Sequence, residues 1–326
     1  MKTRQTPHCH LTSVNYSGQH SGPRLIILGA VHGNETCGTE AIRRLIEQLD
    51  GGQLTVKAGS LTLVAVSNPL AFARGERNGE RNLNRDLRPR THPYQFEDHA
   101  GNWLCCLLAQ HDVLLDIHST NAPCAPFVLL GPRNNHGALE PFAHETEERL
   151  LARHLGVQRC VDGWFSTYAE GVERRMASTR DNFDVSEKEA LMRYAIGTTE
   201  YMRAIGGYGL TLECGQHGTV LATEVASRAI MHTLGFLGLI EDKALQPKAQ
   251  AMQAYSMVEV HDRLAPGDVF SRDWASFDRV RQGDEIARRS DQSIVSAAFD
   301  GLILFPDNKA AVGEEWFYLA RANPDF

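Results

Sequence analysis

At 326 residues the chain is longer than one hydrophobic core usually supports, so a large unit with a smaller companion is the expected organisation. With 42% hydrophobic and 22% charged residues it reads as an ordinary globular protein, and a formal net charge of -7 speaks against a nucleic-acid surface. No apolar run approaches the roughly 18–20 residues that cross a bilayer, and Met1 to His20 lacks the apolar core of a signal peptide, so neither a membrane span nor a leader is expected.

Seven cysteines at irregular spacings, with no Cys-x-x-Cys pair, suit reduced thiols in a cytoplasm better than a disulfide framework or a thiolate zinc site. Over the first two-thirds, short apolar runs alternate with longer amphipathic ones, the pattern of an α/β layer fold. Arg24 to Val31 reads as a buried strand, Thr36 to Leu49 as a helix stopped at Asp50-Gly51-Gly52, and Leu61 to Val66 as a second strand. From Arg74 to His99 the chain is polar and rich in Gly, Asn, Arg and Pro. This composition predicts a long functional or disordered loop that builds no core, its arginines forming a solvated face. Trp103 to Ala109 reads as helix, Val113 to Ile117 as the third strand, Phe127 to Leu130 as a fourth and Glu140 to Leu155 as a charged helix. Tyr208 to Glu213 is a further strand, and a helix follows from about Val220 to Leu239.

After Pro247 the pattern changes to short alternating runs separated by Gly, Asp and Pro: Ser256 to His261, Ile294 to Ala298, Leu302 to Phe305 and Trp316 to Leu319. Such a pattern predicts a small all-β unit. With the boundary placed in Asp242 to Gln253, the expected domains are 1–245 and 246–326.

The residues that point to chemistry stand at strand ends. His32-Gly33-Asn34-Glu35 follows the first strand, and His118 ends the third. Two imidazole nitrogens and one carboxylate oxygen form the ligand set that leaves a catalytic zinc an open position for water. Taken alone, His118 reads better as a satisfied strand-end histidine than as a ligand. Asp116, two residues back on the same strand face, is placed to orient it. Glu213 also ends a strand, and ligand sites of open α/β sheets gather at that edge.

Gly29-Ala30-Val31-His32-Gly33-Asn34-Glu35, Leu83-Asn84-Arg85, Asp116-Ile117-His118 and Leu212-Glu213-Cys214-Gly215 occur in that order. Together they resemble the succinylglutamate desuccinylase/aspartoacylase branch of the zinc carboxypeptidase superfamily, over roughly Arg24 to Leu239. The resemblance implies a zinc-carboxypeptidase-like mixed central sheet flanked by helices, and one zinc ion per chain on His32, Glu35 and His118. It implies that Glu213 is the general base, that Arg77 polarises the scissile carbonyl, and that Asn84 and Arg85 clamp a substrate carboxylate. The family usually has an acid where this chain has Asn82, a change expected to weaken the orientation of Arg85 or alter which substrates fit. Arg203, ten residues before Glu213, resembles in spacing the aspartoacylase arginine that contacts an acyl-side carboxylate; a plain surface arginine at a helix end is the competing reading. Gln216 and His217 follow the base closely, as pocket-lining candidates without a defined role.

Gly283 to Ala287 and Ser296 to Ile303 resemble a biotinyl/lipoyl-type half-barrel. No lysine lies between Pro266 and Pro306, which argues against covalent carriage of a cofactor and leaves a lid, a contact between copies of the chain, or a pocket wall. Trp316 and Tyr318 read as core. The expected activity is therefore zinc-dependent hydrolysis of a small N-acyl amino acid or related amide in the cytoplasm, with no nucleic-acid or membrane partner and a homo-oligomer left open. The alternatives are a metallocarboxypeptidase acting on short peptides and a non-catalytic metal-binding protein. Glu213 counts against the last, because a binding module has no use for a base.

Overall fold

In the computed structural model, residues 9–178, 185–241, 249 and 251–324 are described. The first eight residues and most of the expected boundary segment lie outside the described residues. In chain order the elements are β1 (Val14–Ser17), β2 (His20–Leu28), α1 (Cys37–Asp50), β3 (Ala58–Val64), α2 (Pro69–Arg74), α3 (Phe96–Leu108), β4 (Val113–Thr120) and β5 (Phe127–Leu129). Next come α4 (Glu145–His154), β6 (Arg159–Asp162), α5 (Trp164–Ser178), α6 (Val185–Tyr194), α7 (Thr198–Ala204), β7 (Tyr208–Gln216) and α8 (Val220–Phe236). The last third holds β8 (Gln253–Asp262), β9 (Val269–Phe270), β10 (Arg279–Val280), β11 (Glu285–Arg288), β12 (Ile294–Ser296), β13 (Gly301–Leu304) and β14 (Glu315–Ala322).

An 11-stranded mixed sheet in the order β1-β3-β2-β4-β7-β5-β6-β8-β14-β13-β10 organises the molecule. At its centre β3, β2, β4 and β7 run parallel. Strands buried on both faces read as unbroken apolar runs, and β2 shows why. Leu25 and Ile27 join one core with α1 and α8, while Ile26 and Leu28 join a second with α3. Truncating any of these four to Ala is worth about 2–5 kcal/mol.

Two expectations are corrected here. The segment after Arg74 does build core, because Leu83 and Leu87 are fully buried against α3. Its arginines are partly spent inside: Arg81 and Arg90 pair with the buried Asp98, and the Glu97 carboxylate gathers the backbone N–H groups of Gly79, Glu80 and Arg81. The β-rich C-terminal part continues the central sheet, since β8 pairs parallel to β6 from Arg159–Gln253 to Asp162–Ser256. Phe127 and Val161 share one core with Met257, Val260, Leu304 and Tyr318. A second core around Trp316, Phe317 and Ile286 holds the small sheet β12-β11-β9 in place.

Candidate active site

The parallel strands end on one edge, and the turns beyond them carry the polar groups. After β2 the backbone turns through Ala30, a buried residue at φ 45 in the left-handed region, where a Cβ is strained. Gly33 packs so closely on α2 that a Cβ there would lie 2.1 Å from the Ala71 carbonyl carbon, so only glycine fits. This tight turn aims His32 and Glu35 back at the end of β4, where His118 stands.

All three side chains are buried. His32 Nδ1 lies 2.9 Å from Glu35 Oε1, His118 Nδ1 lies 2.8 Å from Glu35 Oε2, and the two Nδ1 atoms are 3.2 Å apart. The outer nitrogens are held from behind. His32 Nε2 is 3.1 Å from Asn82 Oδ1, whose identity as oxygen is fixed by the Asn84 N–H that it accepts at 2.9 Å. An amide oxygen only accepts, so His32 is protonated on Nε2 and keeps its Nδ1 lone pair for the cluster. His118 Nε2 lies 2.9 Å from Asp116 Oδ2, an acid also held by the Thr198 hydroxyl. Burial, aided by the Arg77 guanidinium, pulls His32 down to about 4 and keeps it neutral. Burial opposes charge on His118 and Glu35 too, but the carboxylates around His118 hold its pKa well above the usual imidazole range. The two imidazoles in turn hold Glu35 well below the usual carboxylate range. Ligand atoms of these three residues lie within 4.8 Å of one another. Two imidazole Nδ1 atoms converging beside a carboxylate suit a shared divalent cation that displaces the His118 proton, and the donor set fits zinc.

Glu213 is the strand neighbour of His118 in register, across β4 and β7. It is buried, and its Oε2 has no hydrogen-bond partner among the described residues. Burial pushes its carboxyl up to about 8, the acids Glu35 and Asp116 adding to the rise against the pull of His118. A cation on the neighbouring cluster would favour its ionised form.

A cavity of about 530 Å³ opens over this cluster, and its lining includes Arg77, Asn84, Arg85 and Glu213. Arg77 donates to Glu35 Oε1 at 2.8 Å from a half-exposed position. The Asn84 side-chain oxygen accepts the Thr198 N–H at the start of α7. Arg85 lies over the Trp164 ring, 5.1 Å from its centroid, and donates to the Asn84 carbonyl.

Arg203 is neither in this cavity nor on the surface. It is 5% exposed, and its guanidinium is engaged by Glu148 at 3.0 Å, Glu140 at 3.1 Å and the Gly209 carbonyl at 3.0 Å. A helix-end arginine held by two acids from distant segments could not be told from a surface one by spacing alone. Asn82 is also reassigned, because its side chain orients His32 rather than Arg85. His217 bonds the Ser119 hydroxyl at 2.8 Å and, with Gln216, lies outside the lining. Trp316 and Tyr318 are both buried in core, as expected; Tyr318 also lines the cavity, and its hydroxyl has no hydrogen-bond partner among the described residues. Strand alternation gave no clue, since it puts Trp316 and Tyr318 on one face; in the structure Trp316 and Phe317 fill one core, while Tyr318 packs with Trp164 and Phe305, which also line the cavity. The C-terminal part thus forms a wall of the cavity.

Residues 21–146 match the family profile described as the succinylglutamate desuccinylase/aspartoacylase catalytic domain. A succinylglutamate desuccinylase from Pseudomonas paraeruginosa (strain DSM 24068 / PA7) is 38% identical over 82 residues, 25% of this chain and 23% of that protein. A Nostoc sp. (strain PCC 7120) protein named "Probable aspartoacylase" is 30% identical over 117 residues, 33% of this chain and 39% of that one. The matched stretches thus span well under half the length of these curated relatives. In fold the chain is similar to a succinylglutamate desuccinylase/aspartoacylase from Rhodobacter sphaeroides, with a TM-score of 0.69 at 17% identity over 96% of this chain and 90% of that one. It is also similar to the product-bound ectoine utilization protein EutE (DoeB) from Ruegeria pomeroyi, with a TM-score of 0.68 at 18% identity over 95% and 88%. Over residues 21–146 the chain is thus similar to the succinylglutamate desuccinylase/aspartoacylase catalytic domain, and in fold it is similar to solved structures of that name.

Proposed function

We propose that the protein is a zinc-dependent deacylase that hydrolyses an N-acyl amino acid, or a related small amide, to a carboxylate and a free amine. The observation that carries this reading is Glu213: a buried carboxylate with one unpartnered oxygen, in register with His118 and facing the cavity over the metal-ligand cluster. His32, Glu35 and His118 would hold one zinc ion per chain. When bound, zinc would supply Lewis-acid polarisation and make water acidic enough to act as nucleophile near neutral pH.

The chain's own residues do the rest. Glu213 takes a proton from the attacking water as the water oxygen bonds to the amide carbon. It returns that proton to the nitrogen as the C–N bond breaks, so the amine leaves neutral. Arg77, at the cavity edge beside Glu35, is placed to stabilise the oxygen that gains charge. Arg85, with Asn84, holds the substrate carboxylate, the guanidinium fork suiting two oxygens at once. The Trp164 ring, 5.1 Å from the guanidinium carbon to its centroid, makes a cation–π contact with that fork. Among the described residues no helix is long and apolar enough to cross a membrane, and the cytoplasmic reading of the seven free thiols is kept as part of the proposal.

Glu213→Gln tests the central role. The variant retains zinc at the wild-type ratio while release of amine from N-acyl amino acids falls by about 10²–10⁴-fold. Wild-type turnover in the zinc-loaded variant removes Glu213 from the mechanism.

A further inference from the structure

Three arginines line the main cavity, and two of them are committed. Arg77 spends one donor on Glu35 beside the metal-ligand cluster, and its remaining donors are those placed for the reacting oxygen. Arg81 is consumed by Asp98 at 2.8 Å and by the carbonyls of Asn82 and Arg85 at 3.0 and 2.8 Å. Arg85 spends one donor on the Asn84 carbonyl, which leaves it as the anion receptor of the lining.

Next to this cavity is a second, of about 160 Å³, which shares Leu129, Trp164, Thr199, Glu200 and Thr211 with it. Arg203 borders only the smaller one, and there Glu148, Glu140 and Glu200 surround it, the last at 3.5 Å. Glu200 is the member of this group that reaches the main cavity. A second anionic group arriving from the substrate would therefore meet a carboxylate, with the guanidinium of Arg203 already neutralised behind it. Glu314 and Glu315 add to the negative lining on the side of the C-terminal strand. Like charges brought together in a partly dehydrated cavity are strongly unfavourable.

We infer that the cavity selects substrates with a single carboxylate and no second anion: an N-acyl amino acid whose acyl group and side chain are both uncharged. This rests on the deacylase reading, and it separates the protein from relatives named for succinylglutamate and for aspartate, both of which carry more than one carboxylate.

The test uses three compounds on the zinc-loaded full chain: N-acetyl-L-glutamine, its near-isostere N-acetyl-L-glutamate, and the larger N-succinyl-L-glutamine, whose second anion is on the acyl group. The expected kcat/KM for the first exceeds that for either of the others by about 100-fold. Glu200→Gln, which keeps an acceptor for the Gly197 N–H, narrows that gap by about tenfold, chiefly through the KM of the doubly charged compounds. Equal or better turnover of either doubly charged compound overturns the inference. Should none of the three be hydrolysed, the deacylase reading fails by itself, and calorimetric binding to zinc-loaded Glu213→Gln decides the selectivity. Binding of N-acetyl-L-glutamine about 30-fold tighter than the others supports it; equal binding, or binding of none, overturns it.

Discussion

The side-chain oxygen of Asn82 stands 3.1 Å from His32 Nε2 and accepts the Asn84 backbone N–H at the same time. One amide oxygen thereby ties a histidine of the proposed metal site to the segment that carries Arg85. Partners behind a metal-bound imidazole set its tautomer and orientation, and their loss commonly weakens metal binding by about 10–100-fold. Asn82→Ala is expected to lower zinc affinity within that range, measured by competition with a chromogenic chelator, while Asn82→Asp keeps an acceptor and retains the metal. Unchanged affinity in the alanine variant would show that Asn82 does not support His32.

Tyr318 gives a prediction in which stability and binding separate. Its hydroxyl is buried without a partner, a state that costs a fold about 1–3 kcal/mol. Tyr318→Phe should therefore leave the thermal midpoint unchanged or raise it. If the hydroxyl serves the substrate carboxylate beside Arg85, the same change raises KM by roughly tenfold with kcat little altered. A lowered midpoint with unaltered KM would return Tyr318 to a purely structural part.

Arg203 predicts the reverse pattern. Removing it leaves Glu140 and Glu148 buried without their counter-ion, and breaking a buried pair costs about 3–5 kcal/mol. Arg203→Ala should lose stability on that scale by denaturant unfolding. A variant with wild-type stability and a raised KM would restore the substrate-binding role that its spacing suggested.

The sequence made the metal-ligand cluster legible and left its surroundings hidden, for a physical reason. His32, Glu35, His118 and Glu213 all sit at the ends of apolar strands, and parallel pairing brings such ends to one edge whatever the helices do. Asn82, Tyr318 and Arg203 acquire their roles from contacts between distant segments, to which local periodicity is blind. The same holds for β6 and β8, two strands about 90 residues apart whose pairing joins the C-terminal part to the central sheet. Leu83 and Leu87 were masked by the polar residues around them, although each is buried against α3.

Asp268 supplies a pH dependence in the C-terminal part. Burial opposes its charge, but Arg289 and the N–H groups of Leu264, Ala265 and Ser290 override that and hold its pKa at about 2, below the usual carboxylate range. A depressed carboxylate contributes stability above its unfolded pKa and loses it as pH falls toward the folded one. Some 2 kcal/mol should thus be present at pH 7 and disappear between about pH 4 and pH 2. Asp268→Asn is expected to lose that amount at pH 7 and to show a flatter stability profile below pH 4 by urea unfolding. An unchanged acid profile in the variant assigns the acid sensitivity to other groups.

The most direct measurement of the central claim is release of free amine from N-acetyl-L-glutamine as the metal is removed and restored. Dialysis against a chelator should abolish turnover, by at least about 100-fold, and one equivalent of zinc per chain should recover it; His32→Ala should show neither zinc retention nor recovery. Full turnover in metal-free protein, or in the His32 variant, would contradict the account.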